Sequence, residues 1–200
     1  MKRALISVYD KTGVVEFAKE LVTLGFEIVS TSGTAKLLKD SGIAIKTIEE
    51  ITKAPEVLGG RVKTLQHLIF AGILADKTNP DHQNEVKIHG FELFDLVCVS
   101  LYPFKQTISK PDCTEAEAIE QIDIGGVSLI RAAAKNFSSV SVLVDPNQYG
   151  IYLSSVKEGK DISRLLAADA FEYIASYDIS IANYFRRINK QASGIFDIYY

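Results

Sequence analysis

Ala4-Leu5-Ile6-Ser7-Val8, followed by Asp10-Lys11-Thr12-Gly13, decides the fold class. The short apolar run reads as a buried strand. The polar turn after it opens a helix, with Thr12 as a candidate cap. Val14, Val15, Phe17, Ala18, Leu21, Val22 and Leu24 then recur at helical spacing, and Gly25 supplies the stop. Glu27-Ile28-Val29-Ser30 is a second strand, Thr31-Ser32-Gly33-Thr34 a second strand-to-helix turn, and Ala35 to Ser41 the helix it opens. Ile43 to Ile48 is a third strand-like run. Strand, helix, strand, helix, strand predicts an α/β fold built on a parallel sheet.

The rest of the chain fits that frame. Phe94 to Leu101 is the clearest central strand, ended by Tyr102-Pro103-Phe104 because a proline cannot continue the ladder. Ser100 and Tyr102 therefore stand at a strand's carboxyl end, where ligands gather in open α/β sheets. Ser139 to Val144 is a further strand, closed by Asp145-Pro146. Thr114-Glu115-Ala116-Glu117 has capping-box spacing and starts a helix reaching about Gln121. Gln148 to about Lys190 reads as two helices split near Gly159-Lys160-Asp161, the second amphipathic. Gln66 to Ala75 is mostly apolar and fits helix or strand. Lys77 to His89 is polar, with a turn at Asn79-Pro80-Asp81 and an exposed short helix after it. No repeat or low-complexity linker divides residues 1–200, so a single domain is expected.

Composition narrows the function classes. The 200 residues are 47% hydrophobic and 24% charged, with a net charge of −3, ordinary for a globular domain. There is no basic footprint for nucleic acid, no signal peptide and no apolar run long enough to span a bilayer. Cys98 and Cys113 do not make a disulfide framework, and Cys98 sits in an apolar run where a buried small hydrophobe is expected. His67, His82 and His89 lack zinc-site spacing. A cytoplasmic protein without metal, nucleic-acid or membrane partners is the expectation.

Four stretches carry chemistry. Lys11-Thr12-Gly13 offers an ammonium, a hydroxyl and open backbone; Thr31-Ser32-Gly33-Thr34 offers hydroxyls and free N–H groups at a helix start, where an anion is favoured. Neither has P-loop spacing, and the same residues are ordinary helix entries. In Gly59-Gly60-Arg61-Val62-Lys63-Thr64-Leu65 the two cations share a face if the segment is extended; the alternative is a solvated basic edge. Asp123-Ile124-Gly125-Gly126 opens a run of helix formers ending at Lys135-Asn136. Paired glycines there let a ligand approach the backbone, although helical spacing of the apolar residues also fits a plain buried helix.

Taken together, Ser7-Val8-Tyr9-Asp10-Lys11-Thr12-Gly13, Thr31 to Ala35, Gly59 to Leu65, Leu101-Tyr102-Pro103-Phe104, Ile122 to Gly126 and Arg131 to Asn136 closely resemble the IMP cyclohydrolase domain. That domain is usually the N-terminal half of a bifunctional enzyme that also carries AICAR formyltransferase. The resemblance implies a Rossmann-like three-layer fold of the methylglyoxal-synthase type, and dehydrating ring closure of formyl-AICAR ribonucleotide (FAICAR) to IMP. It implies that Lys11, Thr31, Gly33, Thr34 and Thr64 hold the 5′-phosphate and adjacent groups. Arg61, Lys63, Tyr102, Asp123, Ile124 and Gly125 would line the base and reacting groups. The resemblance further implies Lys135, Lys63, Asp123 and Tyr102 as the catalytic set, with Tyr9, Ser100 and Gly126 also against substrate. No cofactor is implied. A homodimer is, with formyl transfer supplied by another domain or a separate protein, since no formyltransferase activity is expected of a chain that stops at Gly194 to Tyr200.

The chain departs from the pattern at Tyr9 (usually Ser), Ser32 (usually Gly), Ser100 (usually Asn), Gln66-His67 (usually His-Pro) and Phe70 (often His). The departures at Tyr9, Ser32 and Ser100 are the support for a second reading, a non-catalytic nucleotide-binding regulatory module. Methylglyoxal synthase itself needs an aspartate–histidine constellation that is not found. One difficulty is geometric. A straight helix from Gly126 to Lys135 would hold its ends roughly 14 Å apart at ~1.5 Å per residue. A lysine serving the same ligand as Asp123 would then need a broken helix, a folded-back chain or another subunit.

Overall fold

A computed structural model describes residues 1–193; the closing segment 194–200 lies outside it. Among the described residues five strands form one sheet: β1 (Lys2–Val8), β2 (Phe26–Ser30), β3 (Ile45–Thr47), β4 (Leu96–Ser100) and β5 (Ser141–Leu143). They lie in the order β3-β2-β1-β4-β5, every pairing parallel. Helices α1 (Val14–Thr23), α2 (Ser32–Asp40) and α3 (Ile48–Thr52) follow the first three strands, and α4 (His67–Leu74) and α5 (Pro80–His89) precede β4. Next come α6 (Phe104–Ile108), α7 (Glu115–Glu120) and α8 (Gly125–Lys135), then, after β5, α9 (Gln148–Glu158) and α10 (Ser163–Ser193). No helix among them is long and apolar enough to cross a membrane. This is the expected α/β three-layer arrangement.

The strands read as continuous apolar runs because helices cover both faces of the sheet. Ala4, Leu5, Ile6, Leu96, Val97 and Cys98 are all buried. Burial pushes the Cys98 thiol up to about 12, so it behaves as a small inert hydrophobe.

Several elements differ from the sequence reading for local reasons. Thr12 does not cap α1: its N–H donates to Asp10 Oδ1 (2.9 Å), and Gly13, at φ 65°, is the cap residue. β3 is shorter than Ile43–Ile48 because Thr47 and Glu50 form a capping box that starts α3. β5 starts at Ser141 because Ser139 is engaged by Lys77: the Lys77 N–H donates to Ser139 Oγ (3.1 Å) and Lys77 Nζ to its carbonyl (2.9 Å). The ambiguous run 66–75 is helix α4. Gly72 lets α4 pass close to Glu92, since a β-carbon there would lie 2.1 Å from the Glu92 carbonyl oxygen.

The order of strands creates the site. From β1 the chain winds outward through β2 and β3, then returns to the other flank of β1 as β4 and β5. Such a reversal leaves a crevice at the carboxyl ends of the two central strands. Val8 and Ser100 face each other there in register.

Candidate functional site

Beyond the last paired residues, the Tyr9 N–H donates to the Ser100 carbonyl (3.2 Å) and the Asp10 N–H to Ser100 Oγ (3.0 Å). Ser100 thus ties the loop after β1 to the end of β4. The rings of Tyr9 and Tyr102, both half exposed, meet edge to face with centroids 5.8 Å apart.

On the β2 side of this seam lies a hydroxyl-rich turn. Thr34 Oγ1 donates to the Val8 carbonyl (3.0 Å) and accepts from the Val8 N–H (3.3 Å). Lys11 Nζ donates to the same carbonyl and to Thr34 Oγ1 (3.0 Å). Burial lowers the Lys11 pKa, against the opposing charge of Asp10. Thr31 Oγ1 lies 2.7 Å from Ser7 Oγ. Because Thr31 is committed to Ser7, no side chain caps the first N–H groups of α2, and they remain available to an anion. Beside them a β-carbon on Gly33 would meet nothing within 4 Å. Ser32 stands at φ 35°, a backbone region that favours glycine.

On the β4 side the head of α8 is assembled from three distant pieces of chain. Asp123 Oδ1 accepts from the Gly126 N–H (2.7 Å), so Asp123, rather than the cap residue Ile124, satisfies the helix start. Ile124 itself is exposed. A β-carbon on Gly125 would lie 2.6 Å from Thr64 Oγ1; one on Gly126 would lie 2.7 Å from Asp123 Oδ2 and 2.7 Å from Leu101 Cδ2. Both glycines are there because Thr64, Asp123 and Leu101 occupy the space. Burial raises the Asp123 carboxyl above its ordinary value, while the N–H groups of Gly126 and Tyr102 pull the other way.

The segment carrying Arg61 and Lys63 is not extended, which corrects the expectation of a shared cationic face. Val57 and Val62 pair antiparallel, and Leu58, Gly59 and Gly60 turn between them at φ 55°, 65° and 94°. Arg61 is helical at φ −63°. The cations consequently diverge, Arg61 pairing with Glu120 and Lys63 with Glu56. Lys63 is drawn inward, its side chain 15% exposed. It borders a cavity of about 450 Å3 between α2 and the hairpin, lined also by Ser32, Lys36, Lys39, Thr47 and Glu56.

Lys135 is held away from Asp123 by the helix between them. α8 is unbroken from Gly125 to Lys135, roughly 15 Å of helix at ~1.5 Å per residue. Next to it, Asn136 Nδ2 donates to the Ile73 and Ala75 carbonyls (2.7 and 3.0 Å) just before β5 begins. Lys135 is thus exposed at the amino edge of the sheet.

Sequence reading missed four participants. Ser7 fixes Thr31 and Glu56 holds Lys63, while Tyr173 and Tyr177 of α10 bond the loops around Tyr102 and Asp123. Tyr177 lies on the apolar face of the amphipathic helix, where a buried ring with a polar tip is expected, but neither the half-buried Tyr173 nor the partners of the two hydroxyls could be read from the spacing.

Comparison with known proteins places these features in a family. The model of the MGS-like domain matches residues 13–128, and that of the AICARFT/IMPCHase bienzyme matches residues 133–198. The bifunctional purine biosynthesis protein PurH of Lysinibacillus sphaericus is 50% identical over 187 residues, covering 92% of this chain and 37% of the relative. The PurH of Lacticaseibacillus casei is 53% identical over 185 residues, 92% and 36% of the two chains. The chain therefore spans little more than a third of these relatives. The crystal structure of ForH superposes with a TM-score of 0.83 at 33% identity, covering 92% of this chain and 97% of ForH. The strand order, the carboxyl-edge crevice and these matches agree: the chain belongs to the MGS-like domain family and is similar to part of the bifunctional purine biosynthesis proteins.

Proposed function

We propose that this chain is an IMP cyclohydrolase, converting FAICAR to IMP with loss of water as the last step of purine synthesis. What carries the reading is the meeting of Thr64, the Leu101-Tyr102 loop and Asp123 at the head of α8. Three sequence blocks matched to the cyclohydrolase pattern converge there on one crevice.

In this reaction the carboxamide nitrogen attacks the formamido carbon, and the resulting carbinolamine dehydrates. An amide nitrogen is a poor nucleophile, so proton movement and stabilisation of the formyl oxygen carry the chemistry. Lys11, Thr31, Gly33 and Thr34 would hold the phosphate at the open start of α2. Lys63, released from Glu56, would stabilise the developing oxyanion. Asp123, its carboxyl raised by burial, suits proton exchange nearer neutrality than an ordinary aspartate, with Tyr102 assisting. The two reacting groups share one molecule, so positioning supplies much of the acceleration and no cofactor is needed.

Lys135 enters this scheme through the homodimer that the resemblance implies. Its ammonium serves a ring-closing site when a second copy brings that site to the amino edge. The reading carries with it a cytoplasmic nucleotide-binding protein, with formyl transfer supplied by another domain or a separate protein.

A regulatory nucleotide-binding module is the second reading, favoured by Tyr9, whose ring leans on Tyr102 at the crevice. Paired assays of Lys63→Ala and Lys11→Ala separate the two. A cyclohydrolase loses kcat in the first and gains KM in the second. A module binds IMP and turns over nothing.

A further inference from the structure

The feature that the proposed chemistry leaves unused is a pair of tyrosines one helical turn apart on α10. Tyr177 Oη accepts from the Asp123 N–H (2.8 Å) and donates to the Gln121 carbonyl (2.8 Å), so one atom clamps both ends of the bend at Ile122. Tyr173 Oη accepts from the Leu101 N–H (3.2 Å), next to Tyr102. The loops so held are the two that touch at the head of α8, through Leu101, Asp123 and Gly126. Buried tyrosine hydroxyls ordinarily find some partner. Here both choose backbone groups flanking the candidate acid–base residues, at i and i+4, where side chains share a helix face. Tyr177 is 9% exposed, and its ring packs edge-on against Phe104, with centroids 6.2 Å apart. The clamp therefore has a fixed base.

We propose that Tyr173 and Tyr177 are positioning residues that set the Tyr102 and Asp123 loops against each other, making the C-terminal helix part of the ring-closing machinery. Neither hydroxyl touches the substrate in this scheme. Tyr177 acts through the Asp123 backbone and hence on its carboxylate, which is already fixed by the Gly126 N–H; Tyr173 acts through Leu101 on Tyr102. The inference rests on the cyclohydrolase reading.

Tyr177→Phe and Tyr173→Phe in the full chain keep the rings and delete the hydroxyls. Thermal melting, kcat and KM for FAICAR are measured on each beside the wild type. The expected result is a kcat reduced ~10- to 100-fold, as for a sub-ångström to ångström misplacement of reacting groups, with KM changed by no more than about threefold. A lower melting temperature with kcat within twofold of wild type in both variants overturns the inference while leaving the cyclohydrolase reading standing. A wild type without turnover overturns that reading and the inference with it. If Tyr177→Phe does not fold, Tyr173→Phe, which loses a single bond, decides the question by the same criterion.

Discussion

The hydroxyl of Thr64 stands 2.6 Å from the point where a β-carbon on Gly125 would be, so the first residue of α8 is glycine because a residue 61 positions earlier occupies its side-chain space. Gly125→Ala should destabilise the fold by ~1–3 kcal/mol as an overpacked contact. In a Thr64→Ala background the same change should cost less, because the obstructing oxygen is gone. Melting of the four proteins in a double-mutant cycle checks this. Additive losses would mean that the two residues do not share the space.

Ser32 stands in the left-handed region at φ 35°, where non-glycine residues cost on the order of 1 kcal/mol or more. Ser32→Gly should raise the melting temperature, by about 2–4 °C for each kcal/mol relieved in a chain of this size. An unchanged or lower melting temperature would show that the turn carries no such strain.

Burial holds the Asp123 carboxyl above its ordinary value of 3.8. A raised carboxyl contributes stability that is fully present below the unfolded value and lost as pH rises through the folded one. At neutral pH the charged Asp123 therefore costs stability. Asp123→Asn keeps an oxygen for the Gly126 N–H and removes the charge. It should melt above the wild type at neutral pH, with the gap closing in acid, and should lose turnover. Such opposition between stability and activity is common at active sites. A variant that melts below the wild type at neutral pH contradicts this account of the carboxyl.

Lys135 and Asp123 lie at opposite ends of an unbroken helix. Lys135→Ala and Asp123→Ala should each be inactive alone, and mixing them under conditions that exchange subunits should restore part of the turnover, because one site then receives both intact residues. Near-normal turnover in Lys135→Ala alone, or no recovery on mixing, would remove Lys135 from the catalytic set as described.

The readable parts of this fold were those written in local pattern. β1, β2 and β4 are continuous apolar runs closed by turn residues, and Thr114 caps α7 where its spacing placed a helix start; Asn79, read as part of a turn, instead caps α5, which begins at Pro80. The Arg61–Lys63 geometry escaped because the direction of each cation depends on the Val57–Val62 pairing and on carboxylates elsewhere, Glu120 being 59 positions away. The tyrosine clamp escaped for the same reason: helical periodicity reveals that a ring is buried, whereas the Tyr177 hydroxyl finds a partner 54 positions earlier. Lys135 illustrates the reverse. Helix rise separates it from Asp123 if the helix is straight, and the unbroken α8 meets that condition, which sets aside the alternative of an interrupted helix.

The central claim is ring closure in the crevice between β1 and β4, and its most direct test is the appearance of the hypoxanthine chromophore when purified protein is mixed with FAICAR and no cofactor. The account predicts multiple turnovers by the wild type, and a loss of ~100-fold or more in Lys63→Ala, as for removal of an oxyanion-stabilising group. Tight IMP binding without turnover by the wild type would contradict it.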